Sequence, residues 1–359
     1  MKDGRTPLPI GTLVSLEDGT TYAITDNPIG QGGGSILYPA QKLQEKEPIS
    51  YVLKECYPCA GAYTFGRDDK GAVIPSGKSG EAYLKQAKAG MLREGTVSRR
   101  IYRFASRSLP IRQGAERIVL TLPGKEPHTV ENVVSVMDSL TDKGQSLAQW
   151  MESRGRFTPV EALRILQQVL LAVREVHQAG YLHLDIQDGN IFLRGSVSGK
   201  DELVTLIDFG CARAMPGGKT APIADCVIFT TQGFSAPEIL LHNDGALQLG
   251  PEADIFSVGC LALYLLTGQR ATIPELIANR TGIYLRPNQM RRMKFPKHMV
   301  DALQQMLGKA LAKEPENRYH TAEEMLADVS DLAEALQPYR TDLQSVKYDA
   351  FICYRCCML

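Results

Sequence analysis

The residues best suited to chemistry lie in one run, His183-Leu184-Asp185-Ile186-Gln187-Asp188-Gly189-Asn190. An aspartate and an asparagine five positions apart on a polar loop can place a carboxylate at a reacting hydroxyl and an amide oxygen at a divalent cation. Eighteen residues beyond Asn190, Asp208-Phe209-Gly210 follows the apolar run 203–207. A second carboxylate therefore stands at a strand end, where it could ligate Mg²⁺. Upstream, Gly30-Gln31-Gly32-Gly33-Gly34-Ser35 is too glycine-rich for an ordinary turn, and Val52-Leu53-Lys54 places a lysine in strand-like sequence. A glycine-rich hairpin alone is usually a plain turn; the downstream carboxylates reverse that reading.

The elements that must position these residues change character along the chain. The first third reads as short strands, 21–25, 36–41 and 49–55, rich in Tyr, Ile, Val and Thr. Residues 57–80, with five glycines and two prolines, read as a long loop. A helical pattern runs from Glu81 to Phe104, and strand character returns at 117–122 and 132–137. After Leu140 the chain is mostly helical. Thr158-Pro159 opens an amphipathic helix that Gly180 ends. Further helices are expected at 254–266, 299–311 and 321–336. A strand-rich part followed by a helix-rich part predicts an α+β protein in two lobes.

Composition sets the outer limits. The chain has 359 residues, 44% hydrophobic and 22% charged, which places it among folded globular proteins rather than disordered ones. Forty basic residues balance forty acidic ones. That neutrality lacks the basic excess of a dedicated nucleic-acid binder, so no nucleic-acid partner is expected. The sequence opens without an apolar run suited to a signal peptide, and its longest strongly apolar stretch, 258–266, falls far short of the ~20 residues of a membrane span. No membrane span, a cytoplasmic setting and reduced cysteines are the expectation.

Taken in order, the glycine loop, Lys54, the Asp185…Asn190 run, Asp208-Phe209-Gly210 and Ala236-Pro237-Glu238 resemble the eukaryotic-type Ser/Thr protein kinase family. The resemblance covers about residues 20–336. It implies an α+β, two-lobed kinase-like fold. A small antiparallel-sheet N-lobe with one main helix (about 20–137) is followed by a hinge (138–141) and a larger helical C-lobe (about 142–336), with ATP in the cleft between the lobes. Residues 1–19 are read as an N-terminal extension and 337–347 as a linker.

The same resemblance implies roles. Gly30, Gln31, Gly32, Gly33 and Gly34 would let backbone approach the triphosphate. Lys54 would pair with the α- and β-phosphates, held by Glu94, with Glu81 as the alternative. Asp185 would accept the substrate hydroxyl proton, and Asn190 and Asp208 would hold Mg²⁺, or Mn²⁺ in its place. Met137 would close the back of the adenine pocket, with Asp138 to Leu140 offering hinge backbone groups. Glu238 would pair with Arg318, Asp254 and His183 would brace the catalytic loop, and Thr231 would face the substrate. An Ala-Pro-Glu segment of this kind implies a protein substrate rather than a small molecule.

The chain departs from the family pattern at three positions. Ser35 replaces the third loop glycine, a tolerable change. Leu184 stands where an arginine usually reads a loop phosphate, which predicts activity independent of activation-loop phosphorylation. Gln187 stands where a lysine usually touches the γ-phosphate; losing that charge predicts a slow kinase, or in the alternative reading a nucleotide-binding pseudokinase serving as a regulatory or scaffold module.

Three further features are read beside these. Cys56-Tyr-Pro-Cys59 is taken as a pair of ordinary loop cysteines, and Cys211 as a small packed residue. Tyr348–Arg355 resembles the first strand of a TIR domain, and four residues follow it. The expectation is a junction to a fused or lost TIR-type effector, cut short within 348–359.

Overall fold

A computed structural model describes residues 4–45, 49–59, 63–140, 144–194, 204–223, 233–240, 247–279, 282–293 and 295–339. The chain folds as two units. One comprises residues 1–143 with 207–212, and the other 144–206 with 213–359.

The first is a sheet unit. Its strands are β1 (Leu13–Ser15), β2 (Thr21–Ile24), β3 (Gly30–Gln31), β4 (Ser35–Lys42), β5 (Ser50–Cys56), β6 (Phe65–Arg67) and β7 (Val73–Pro75). After α1 (Gly77–Tyr102) come β8 (Ile111–Ala115), β9 (Ile118–Thr121), β10 (His128–Val130) and β11 (Val134–Asp138). The main sheet runs β10-β9-β1-β2-β4-β5-β11-β8, with β3 paired to β4. Every pairing in it is antiparallel. Strand β5 lies between β4 and β11, and Lys54 pairs with Leu37 on one side and Ser135 on the other. From Tyr51 to Cys56 it is buried on both faces, as an interior strand must be. Val14, Ile24, Ile36, Tyr38, Leu53 and Val136 form the core, which Leu84 of α1 joins.

Two expectations change here. The segment 57–80 is not one loop: it holds the β6–β7 hairpin, in register Phe65 to Pro75, and α1 begins at Gly77 rather than Glu81. The cause is tertiary. The Arg67 guanidinium grips the Glu55 carboxylate at 2.7 and 2.9 Å. The Asn132 side chain accepts from Val73 N at 2.9 Å and donates to Gly71 O at 3.0 Å. Residues before 20, read as an extension, supply β1, which pairs with β2 and β9. They also contribute the buried Leu8, Val14 and Leu16.

The second is a helical unit. After β12 (Gly144–Ser146) come α2 (Leu147–Arg154), α3 (Pro159–Gln178) and β13 (Tyr181–Leu182). β14 (Ile191–Arg194), β15 (Val204–Leu206), β16 (Arg213–Ala214) and β17 (Ala221–Ile223) follow. The remainder is α4 (Pro237–Leu240), β18 (Leu247–Leu249), α5 (Glu252–Thr267), α6 (Ile273–Ala278), α7 (Pro287–Met293), α8 (Lys297–Ala310) and α9 (Ala322–Leu336). Helix α3 starts where Thr158 and Glu161 cap each other reciprocally, with Pro159 in the first turn. Its apolar stripe packs on α9 and α5. Helix α5 is buried almost all round and stops at Gly268 in the left-handed region. A Cβ there would meet Gly155 O at 2.4 Å, so glycine is required. Among the described residues no helix is long and apolar enough to cross a membrane.

Candidate active site

In the sheet unit, Gly32, Gly33 and Gly34 form the turn between β3 and β4. A Cβ at any of them would meet no protein atom within 4 Å, and none has positive φ. The protein's own packing therefore does not demand glycine there, which fits a loop kept bare for close approach of a phosphate chain. The far side of the loop is anchored by backbone. Cys59 N donates to Gly33 O at 2.7 Å and Tyr57 N to Gly34 O at 3.2 Å. The buried Arg5 donates to Ser35 O at 3.3 Å and Tyr57 O at 2.5 Å. Sequence reasoning passes over Arg5, because its partners lie 30 and 52 positions away.

The centre of the sheet unit's candidate residues is an ion triad. Lys54 Nζ donates to Glu94 Oε1 at 2.8 Å and Oε2 at 3.0 Å, and to Asp208 Oδ1 at 3.2 Å. Glu94 lies on the buried face of α1, whereas Glu81 is exposed near its start. Burial pulls the Lys54 ammonium down, but Asp208 and Glu94 outweigh it and leave it raised. Burial pushes the Glu94 carboxyl up to about 7, against the pull of Lys54. Asp208 adopts φ +62 and accepts from Gly210 N at 3.2 Å. A Cβ on Gly210 would come to 3.2 Å from Asp208 Oδ1 and 3.7 Å from Glu94 Oε2, so a side chain there would crowd the triad. The Phe209 and Cys211 side chains are buried on either side.

Met137 on β11 pairs with Val52. Asp138 holds Arg112 through Nη2 at 2.7 Å and through Nε. Ser139 N donates to Ser50 O at 3.0 Å, and Leu140 is buried. Residue 141, the end of the expected hinge, lies outside the described residues.

In the helical unit the catalytic-loop candidates close on one another. The fully buried Asp254 accepts from His183 N at 2.9 Å, Leu184 N at 2.8 Å and the His177 ring at 2.8 Å. Burial alone would raise its carboxyl; the hydrogen bond and charge of His177, aided by His183, hold it below the usual carboxylate range. The paired amides hold Leu184 at φ +61, a strained value for a branched side chain, and that side chain is itself buried. His183 Nδ1 accepts from Asp185 N at 3.3 Å, a bracing role. Gln187 Nε2 donates to both Asp185 carboxylate oxygens, at 2.9 and 3.1 Å. Asn190 Nδ2 donates to Asp185 Oδ2 at 2.7 Å and to Asp185 O at 2.9 Å. With its amide nitrogen spent on Asp185, the group Asn190 can offer a cation is its amide oxygen. An amide oxygen is a ligand of the kind Mg²⁺ takes; within the sheet unit, the exposed Asp208 carboxylate offers oxygens of the same kind.

Arg318 is buried and forks onto Glu238, Nη1 to Oε1 and Nη2 to Oε2, each at 2.8 Å. Thr231 lies outside the described residues. The sequence reading also missed Asp188, a buried carboxylate inside the catalytic loop that pairs with Arg270 at 2.6 Å.

A sheet unit carrying a lysine–glutamate–aspartate triad, and a helical unit with an Asp–Asn loop braced by a buried aspartate, are the arrangement expected of the protein kinase family. The chain belongs to that family: the family model of the protein kinase domain matches residues 128–329. The serine/threonine-protein kinase PknB of Mycolicibacterium smegmatis is 27% identical over 195 residues, 54% of this chain and 30% of the relative. A probable serine/threonine-protein kinase of Streptomyces coelicolor is 26% identical over 280 residues, 74% of this chain and 39% of the relative. The chain thus spans well under half the length of these relatives. The fold is shared with the crystal structure of the Mycobacterium tuberculosis PknI kinase domain, a double mutant. That match has a TM-score of 0.58 at 19% identity and covers 91% of this chain and 100% of that one.

Proposed function

We propose that the protein transfers the γ-phosphate of Mg-ATP to Ser or Thr hydroxyls of protein substrates, without needing a phosphate on its activation loop. The observation that carries this reading is the triad of Lys54, Glu94 and Asp208 within hydrogen-bond distance. Glu94 sets the Lys54 ammonium where it can meet the α- and β-phosphates, and the bare glycine loop lets backbone amides reach the triphosphate. Asp185 takes the substrate hydroxyl proton, with Gln187 and Asn190 fixing its carboxylate. Asn190 and Asp208 are the residues suited to hold Mg²⁺, which when bound supplies neutralisation of charge on the phosphates. Met137, Asp138 and Leu140 form the adenine side.

Independence from loop phosphorylation rests on Leu184. Its side chain is buried and apolar, so the position has no cation with which to read a phosphate. One observation favours a second reading, a slow enzyme or a pseudokinase acting as a regulatory or scaffold module. Gln187 gives Asp185 two neutral hydrogen bonds and brings no charge toward a phosphate. We also propose that Tyr348–Arg355, outside the described residues, marks a junction to a TIR-type effector, and that the protein works in the cytoplasm.

The test is phosphorylation of a generic protein substrate with Mg-ATP, followed by phosphoamino-acid analysis and repeated after phosphatase treatment of the enzyme. Phosphoserine or phosphothreonine formed at an unchanged rate supports the reading. Nucleotide binding without transfer supports the pseudokinase, and activity lost to phosphatase and regained on rephosphorylation refutes the loop-independence.

A further inference from the structure

We infer that Arg270 is a positioning residue for phosphoryl transfer, tying the catalytic loop to the segment that leads into Ala236-Pro237-Glu238. This rests on the kinase reading above. The starting observation is a charge where none is needed for packing. The Asp188 side chain, three positions after Asp185, is 1% exposed, and a buried carboxylate is unfavourable unless paired. Arg270, 82 positions away, supplies the partner. Its Nη2 donates to Asp188 Oδ1 at 2.8 Å and Oδ2 at 2.6 Å. The arginine itself is half exposed, so it is not a core residue recruited to fill space.

The same guanidinium touches two more elements. It lies over the Phe234 ring at 5.4 Å and over the Tyr264 ring of α5 at 5.3 Å. Those two rings meet edge to face at 6.3 Å. Only a planar, delocalised cation can hydrogen-bond a carboxylate and stack on aromatic faces at once. The neighbouring backbone reinforces the contact. Gly233 sits at φ +87, and a Cβ there would meet Ala271 O at 2.9 Å, so residue 233 packs directly on 271.

What the tie controls follows from the turn Asp188–Asn190. Asn190 N donates to Gln187 O at 3.1 Å, so Asp188 lies inside the turn joining the two side chains that hydrogen-bond Asp185. Displacing Asp188 displaces both. Phe234 lies three positions after Thr231, which the kinase reading turns toward the protein substrate. Loss of Arg270 is therefore expected to lower turnover and weaken protein-substrate binding. The glycine loop and Lys54 lie in the sheet unit and are untouched, so ATP affinity should change less than protein-substrate affinity.

The experiment measures kcat, KM for ATP and KM for a protein substrate in wild type, Arg270→Ala, Arg270→Lys and Asp188→Asn. Hydrogen exchange at residues 183–191 and 233–240 is followed in the same proteins. Arg270→Ala should lower kcat roughly 10- to 100-fold, raise KM for the protein substrate, raise KM for ATP less than that, and speed exchange in both segments. Arg270→Lys, which keeps the charge but not the stack, should recover protection at 183–191 and not at 233–240. Wild-type kcat and exchange in Arg270→Ala overturn the inference, and so does a uniform rise of exchange across the helical unit. If wild type itself transfers no phosphate, the kinase reading fails, and the exchange pattern alone then decides for or against the tie.

Discussion

Arg318 offers the sharpest energetic test of how the helical unit holds Glu238. The side chain is almost fully buried and makes five hydrogen bonds. Two go to Glu238, and one each to the carbonyls of Ala312, Glu252 and Lys313. Its guanidinium also lies over the Phe256 ring at 4.8 Å. Arg318→Ala removes the cation and leaves Glu238, whose side chain is only 16% exposed, without its forked partner. Breaking a buried pair from one side costs about 3–5 kcal/mol. At about 2–4 °C per kcal/mol for a unit of this size, the melting temperature should fall by roughly 6–20 °C. Arg318→Lys keeps the charge but cannot fork onto both carboxylate oxygens and reach the carbonyls, so it should fall between. Thermal and urea unfolding followed by circular dichroism read the effect, with Glu238→Gln completing a double-mutant cycle. A loss below about 1 kcal/mol for Arg318→Ala, the range of an exposed pair, would refute the reasoning.

Further outcomes follow from the candidate residues of each unit. Glu94, held at about 7 by burial, should take up a proton as pH falls from 8 to 6. Lys54 then loses one of its two anionic partners and with it the fix on its position, so activity should decline with a midpoint near 7, and Glu94→Gln should be slow and flat across that range. Stability runs the other way. A carboxyl raised from an ordinary 4.5 contributes stability that is full below 4.5 and lost as pH rises through about 7. A pH–Tm series of wild type against Glu94→Gln reads the sign. Gln187→Lys places a cation beside Asp185 and should raise kcat on the order of 10-fold or more; an unchanged or lower kcat contradicts the reading that the missing charge at Gln187 slows transfer. Asp254→Ala strips the amides of His183 and Leu184 of their acceptor, and should speed exchange at 183–191 well before global unfolding; unchanged exchange there contradicts its bracing role.

The chemistry was legible wherever it sits in local pattern. The glycine run, Lys54 in strand sequence and Asp208-Phe209-Gly210 at a strand end are short-range signals. Glu94 could be chosen over Glu81 because helical periodicity places it on the inward face of α1. Features set by distant partners were not legible. The β6–β7 hairpin looked like loop because Glu55 and Asn132, which hold Arg67 and Val73, lie outside it, 12 and 59 positions from their partners. β1 is three residues long and has meaning only against β2 and β9. Arg5 and Arg270 carry no local signal, because the carbonyls and the carboxylate they meet lie 30 to 82 positions away. Local sequence marks the candidate reacting groups, while the residues that hold them in place are defined by tertiary contact.

The central claim is tested most directly by incubating wild type and Asp185→Ala with labelled Mg-ATP and a generic protein substrate, alongside a binding measurement for Mg-ATP. The account predicts transfer by wild type, none by Asp185→Ala, and nucleotide binding by both. Equal transfer by the two proteins would contradict the assignment of Asp185, and silence from both with binding intact would contradict the kinase activity itself.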